Sequence, residues 1–194
     1  MSDLKPDLQP DLTSDLDDKI IIDSSAWVHP TALLHGHISL AAQVSVWPHV
    51  VMRAEMYDIQ IGARTNIQDF VMVHVGAGTS TIIGEDCSIT HHVTLHGCTI
   101  GDKCLIGINA TIMDGAVIGA NSIVAGHSIV TEGSVFPDNS IIGGSPAKLL
   151  KSRDSGAANA RNAAFYIQNA ANYAEGRHRF SAAQLADIFG DGQN

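Results

Sequence analysis

The chain has 194 residues, one domain by length, with 20 Asp and Glu against 11 Lys and Arg and a formal net charge of −9. That balance, with a pI near 5.4, argues against nucleic acid or an anionic membrane as partner. No run of 18 apolar residues exists and the N-terminus lacks a signal-peptide core, so neither a membrane span nor export is expected, and a cytoplasmic location is. Three cysteines, an odd number, do not form a disulfide framework.

Residues 1–20 form an acidic arm that reads DL-x-x-DL-x-x-DL-x-x-DL and is broken by Pro6 and Pro10. Such a segment is expected to be flexible, with Leu4, Leu8, Leu12 and Leu16 suited to docking on a partner subunit. From residue 21 to 147 the chain repeats every six residues. An aliphatic or aromatic residue returns at Ile100, Ile106, Ile112, Ile118, Val124, Val130, Phe136 and Ile142, and a small one stands four residues after each of the first seven, from Cys104 to Ser140. This period is the mark of a parallel β-helix in which three hexads make one triangular coil. The large residue points inward and the small one fills the corner, where a bulky side chain would overpack. Gly101, Gly107, Gly119 and Gly143 suit corners that require positive φ. The frame extends back through Ile38, Val44 and Val50, then Ile61, Ile67 and Val73, then Ile83, Ile89 and Leu95. Gly76 to Thr81 (GAGTST) does not fit and is read as a loop leaving a corner. Ile61/Ile83, Ile67/Ile89 and Val73/Leu95 are then stacked pairs. Cys87 and Cys104 fall in neighbouring small slots, where thiols serve as apolar filler rather than as a bond. Residues 148–194 change to an alanine-rich pattern. It predicts a helix over Ser155–Glu175, packed through Phe165, Tyr166 and Ile167, and a second over Ser181–Phe189 capped by its serine. Both are expected to cover an outer face.

The frame also places three histidines. His74 follows Val73 and His96 follows Leu95, so they share one slot in adjacent coils, about 4.8 Å apart and able to reach one zinc ion. His91 lies on another side of the triangle, up to roughly 16 Å along the strand from His96. It joins the pair only if a neighbouring subunit supplies it, and the closed arrangement that does so is a homotrimer. Three imidazoles with an open fourth position describe a catalytic zinc site, and the same ligands suit Fe2+ or Co2+. The competing view is that a pair of histidines sharing a slot arises by chance in a chain holding ten. His92 points to the opposite side of the strand from His91, and with Glu55 it is a candidate proton relay.

The runs SVWPHVVMRAE, IGARTNIQDFVMVHV, IIGEDCSITHHVTLHGCTIGDKCLIG, ATIMDGAVIGANSIVAG and GGSPAK make Ser45 to Leu149 similar to the γ-class carbonic anhydrases. The resemblance implies a mainly β fold, a left-handed parallel β-helix (a hexapeptide-repeat solenoid) that is trimeric and carries a C-terminal α-helix. It implies zinc on His74, His91 and His96, and reversible hydration of carbon dioxide to bicarbonate by a zinc-activated water. It also assigns Gln68 to orient that water, Asp69 and Arg53 to an interfacial ion-pair network, and Tyr173 to the site or, equally, to packing at the interface. The chain departs from the family at Glu55, where Arg53-Ala54-Glu55 replaces Arg-Gly-Asp, at Met56, and in the uncharged GAGTST loop. Two other classes fit the repeat: a hexapeptide acyltransferase using one histidine and acyl-CoA, and a catalytically silent trimeric assembly module.

Overall fold

The computed structural model describes residues 19–189. The leucine-bearing part of the N-terminal arm lies outside the described residues. Within them the chain winds as a three-faced prism of parallel strands. The first face carries the start of Leu33–Leu40 and of Val51–Ile61, then Met72–His74, Thr94–His96, Thr111–Ile112 and Ile129–Val130. The second carries Lys19–Ile22, the ends of the two long strands, Thr81–Ile83, Thr99–Ile100, Val117–Ile118 and Val135–Phe136. The third runs from Trp27–Val28 through Ser45–Val46, Asn66–Ile67, Ser88–Ile89, Leu105–Ile106 and Ile123–Val124 to Ser140–Gly144. There the antiparallel strand Ala147–Ser152 closes the column.

The stacked pairs expected from the six-residue period are present: Ile61 opposes Ile83, Ile67 opposes Ile89 and Val73 opposes Leu95. In the first coils the frame is shifted by two. Leu40, Val46 and Met52 hold the large inward positions, whereas Ile38, Val44 and Val50 occupy the corner slot that later coils fill with Ala110 or Ala116. Residues i and i+2 of a strand face the same side, so where both are aliphatic the apolar pattern alone does not say which is which.

The corners also differ from expectation. Positive φ is carried mostly by non-glycine residues stacked from coil to coil, such as Arg64, Asp86, Lys103, Asn121 and Asn139. The glycines at Gly101 and Gly107 serve close approach instead. A Cβ there would lie 2.7 Å from the Ala120 amide nitrogen and 2.5 Å from that of Gly126, each in the coil above.

Helix α1, Gly156–Ala174, runs down the third face. Of the expected packing residues, Tyr166 meets the prism, its ring edge-on to Trp47 with centres 5.5 Å apart, while Phe165 stacks on Phe180. Phe165, Tyr166 and Ile167 are half-buried, and small and amide side chains make the closest approach. Buried Ala163 and Ala170 allow close approach, and Asn159 donates to the Lys103 and Ser122 carbonyls at 2.8 and 3.1 Å. Ser88 Oγ donates to Asn162 Oδ1 at 2.8 Å. Helix α2, Ala182–Phe189, starts at Ser181, whose hydroxyl accepts the Gln184 N–H while the Gln184 side chain accepts the Ser181 N–H. This reciprocal cap is the one the serine suggested. Cys87, Cys98 and Cys104 are free and buried. The Cys104 amide donates to Cys87 Sγ at 3.3 Å, and burial pushes the Cys98 thiol up to about 12. No helix among the described residues is long and apolar enough to cross a membrane.

Candidate functional site

Two corners of the prism collect the residues singled out in the sequence. At the corner between the first and second faces, His35, Arg53, His74 and His96 stand in one column, each opposite the next in the strand register. Two excursions leave the prism here. Residues 55–58 bulge out, because Ala54 opposes Gly36 and Ile59 already opposes Ile38. In the next coil residues 75–80 do the same, and Thr81 is already strand, one residue earlier than the loop was expected to end. The Asp58 amide donates to Ser80 Oγ at 3.2 Å, tying the excursions together. Between them lies a largely apolar pocket of about 380 Å³, walled by Met56, Val75 and Ala77 and floored by His74 and His96.

The two imidazoles are 4.9 Å apart, centre to centre. His74 Nε2 stands 2.9 Å from Glu55 Oε2, and His96 Nδ1 stands 2.7 Å from Asp114 Oδ1. A carboxylate only accepts, so both of those ring nitrogens carry protons. The remaining nitrogens, His74 Nδ1 and His96 Nε2, face each other at 3.0 Å. In neutral rings these are two lone pairs aimed at one point, an arrangement satisfied by one proton shared between the rings or by a bound cation. Tetrahedral Zn–N bonds of about 2.0–2.1 Å put such nitrogens about 3.3 Å apart, a few tenths of an ångström from what is seen. The donor set therefore fits a divalent cation. Glu55 is also ion-paired with Arg53. Desolvation pushes its carboxyl up, but its own backbone N–H, His74 and Arg53 together hold it below the usual range.

The second group sits at the corner between the third and first faces. His91 Nδ1 lies 3.1 Å from Asp69 Oδ2 in the coil below. Gln68 is buried, and its amide nitrogen donates to Asn66 Oδ1 at 2.9 Å. His92, at φ +59, turns away and stacks on Phe70, their ring centres 4.9 Å apart. Tyr173 lies in an aromatic cluster with Trp27, Trp47 and His178. The helix tyrosine near this corner is Tyr166, whose hydroxyl is pushed up by burial and by Asp69. The structure thus joins Arg53, Glu55, His74 and His96 at one corner, joins Gln68, Asp69 and His91 at another, and leaves Tyr173 with neither. Among the described residues of one chain, no three metal-ligating side chains converge. The sequence reading missed Asp114, although it stands 18 residues after His96, one full coil by the same repeat that paired the histidines.

A repeat prism with this column of polar residues defines a class: the chain is a hexapeptide-repeat protein. The family model "Bacterial transferase hexapeptide (six repeats)" matches residues 97–132. Within that class the chain resembles the γ carbonic anhydrases. It is 50% identical over 136 residues to gamma carbonic anhydrase 3, mitochondrial, of Arabidopsis thaliana, covering 67% of this chain and 53% of that protein. It is 41% identical over 103 residues to protein YrdA of Escherichia coli, covering 50% and 53%. The chain therefore spans about half the length of these curated relatives. Among solved structures, a hexapeptide transferase family protein from Anaplasma phagocytophilum superposes with a TM-score of 0.75 at 29% identity, over 79% of this chain and 92% of that one.

Proposed function

We propose that this chain is a metalloenzyme of the γ carbonic anhydrase type, which hydrates carbon dioxide reversibly to bicarbonate in a homotrimer. The observation that carries the reading is the pair of facing imidazole nitrogens at 3.0 Å, each ring backed by a carboxylate. His74 and His96 of one subunit and His91 of the next would hold the ion, zinc first by general affinity, with Fe2+ or Co2+ suited to the same donors. Bound there, a divalent cation supplies hydroxide at neutral pH by lowering the pKa of water to about 7.

The height of the residues supports the shared site. His91 precedes Thr94–His96 within the same coil, and Asp69 precedes Met72–His74 within the coil below. A threefold axis parallel to the prism preserves height, so it brings His91 of a neighbour to the level of His96, and Asp69 to the level of His74 and near Arg53. The chain's own groups then divide the work. Arg53 and Glu55 hold His74, and Asp69 holds His91. The apolar wall of Met56, Val75 and Ala77 receives a small uncharged substrate. Gln68, with its amide nitrogen donating to Asn66, is left with its carbonyl oxygen to accept a hydrogen bond from water at the interface.

The transferase family model and the transferase structural relative favour a second reading, acyl transfer from an acyl-CoA with one histidine as base. Metal analysis together with stopped-flow hydration separates the two. The anhydrase reading predicts about one metal ion per chain and hydration activity that is lost in His74→Ala. Metal-free protein that acetylates an acceptor from acetyl-CoA would establish the other.

A further inference from the structure

We propose that Asp114 is a positioning residue for the metal centre, setting the tautomer and orientation of His96; the proposal rests on the metal reading above. Asp114 follows the strand Thr111–Ile112 by two residues, one coil above His96. Its Oδ1 accepts from His96 Nδ1 at 2.7 Å, the shortest of the three histidine–carboxylate contacts among the candidate ligands.

The surroundings are shaped to admit this carboxylate. A Cβ at Gly76 or at Gly97 would overlap both Asp114 Oδ1 and Thr79 Oγ1. The glycine in each of two separate segments, one opening the loop after His74 and one directly following His96, is therefore required for the carboxylate to reach the ring. Gly97 is fixed further, with φ +56 and its amide donating to the His74 carbonyl at 3.1 Å and to Thr81 Oγ1 at 2.9 Å. Above, the Gly133 amide donates to the Asp114 carbonyl at 2.8 Å and holds the residue's backbone. The carboxylate is thus bounded on the Gly76 and Gly97 sides, while its outer side remains open to solvent.

The chemical consequence follows from the proton count. With Nδ1–H committed to Asp114, only Nε2 of His96 is left to ligate, and it is the nitrogen that faces His74. A carboxylate behind a ligating imidazole fixes the ring and raises its basicity, and losing such a partner typically weakens metal binding 10–100-fold. An asparagine at 114 fits the slot but can turn its NH2 toward Nδ1. That would favour the other tautomer, with the proton on Nε2 and no lone pair for the ion.

The test uses the full-length protein, with cobalt and zinc as probes in competition with a chromophoric chelator. Wild type and Asp114→Asn are compared, and solution mass and thermal stability of the metal-free forms are checked in both. The expected result is a 10–100-fold loss of affinity and an altered cobalt absorption band in Asp114→Asn, with the metal-free fold and mass retained. In ¹⁵N-histidine spectra of the metal-free proteins, His96 should carry its proton on Nδ1 in wild type and lose that preference in the variant. Unchanged affinity and an unchanged cobalt band in Asp114→Asn would overturn the proposal. Wild type that binds no metal at all would instead sink the reading on which it rests. If Asp114→Asn fails to fold, Asp114→Ser, smaller and without an amide, replaces it under the same criteria.

Discussion

At the scale of single residues, the site depends on who accepts and who donates. His74 and His96 are aligned by the strand register, but alignment alone does not direct their lone pairs. Glu55 and Asp114 do that, each removing one ring nitrogen from contention. The pair of histidines was legible in the sequence because it falls on the same hexad position. The carboxylates were not legible in the same way. The sequence marks Glu55 only as a candidate relay and a departure from the family, and its contact with His74 depends on a bulge whose path no period describes. Gly97 offers a sharp check. Gly97→Ala must accept a left-handed backbone, costing roughly 1–2 kcal/mol, and must also displace Asp114 or Thr79. Gly176 shares a positive φ of +73 but has open space around it. We predict that Gly97→Ala lowers both the melting temperature and the metal content, whereas Gly176→Ala lowers only the first. Full metal content in Gly97→Ala would show that the slot is not needed.

At the scale of elements, the short strands are held by stacking rather than by their own length. Most have two or three residues, far too few to persist alone, and each gains its stability from the coils above and below. Ile106 illustrates this. It is fully buried, with Ile89 below and Val124 above in the same column. We predict that Ile106→Ala costs about 2–5 kcal/mol, as deletion of a buried aliphatic side chain usually does, measured by denaturant unfolding of wild type and variant at equal chain concentration. A cost below about 1 kcal/mol would mean that the coils relax around the cavity. The strict frame from Ile100 onward was fully readable, because large and small residues alternate there without exception. The earlier coils were not. Val44 and Val50 are aliphatic in a slot where later coils carry Ala or Ser, so an apolar count could not tell corner from strand. Nor did it locate the bulge at residues 55–58, which builds half of the pocket wall. The helix starts, by contrast, were readable: Ser181 caps α2, and the alanine-rich pattern places α1 directly after Ser155, although that serine makes no side-chain cap bond.

At the scale of the whole molecule, the proposal is that no single chain carries a complete site. The described residues bring His74 and His96 together and keep His91 at the opposite corner of the first face, in company with Asp69. If the site is shared, two damaged chains can repair one another. His91→Ala retains the pair but lacks the donor, and His96→Ala retains the donor but lacks the pair. Each variant alone should bind little metal. In trimers co-expressed at equal amounts, about a quarter of the interfaces join an intact pair to an intact donor. Metal content and hydration activity of the mixed trimers should therefore recover to about a quarter of the wild-type value. Mixed trimers that bind no more metal than either variant alone, or His91→Ala protein that keeps its full metal content by itself, would contradict a centre shared between subunits.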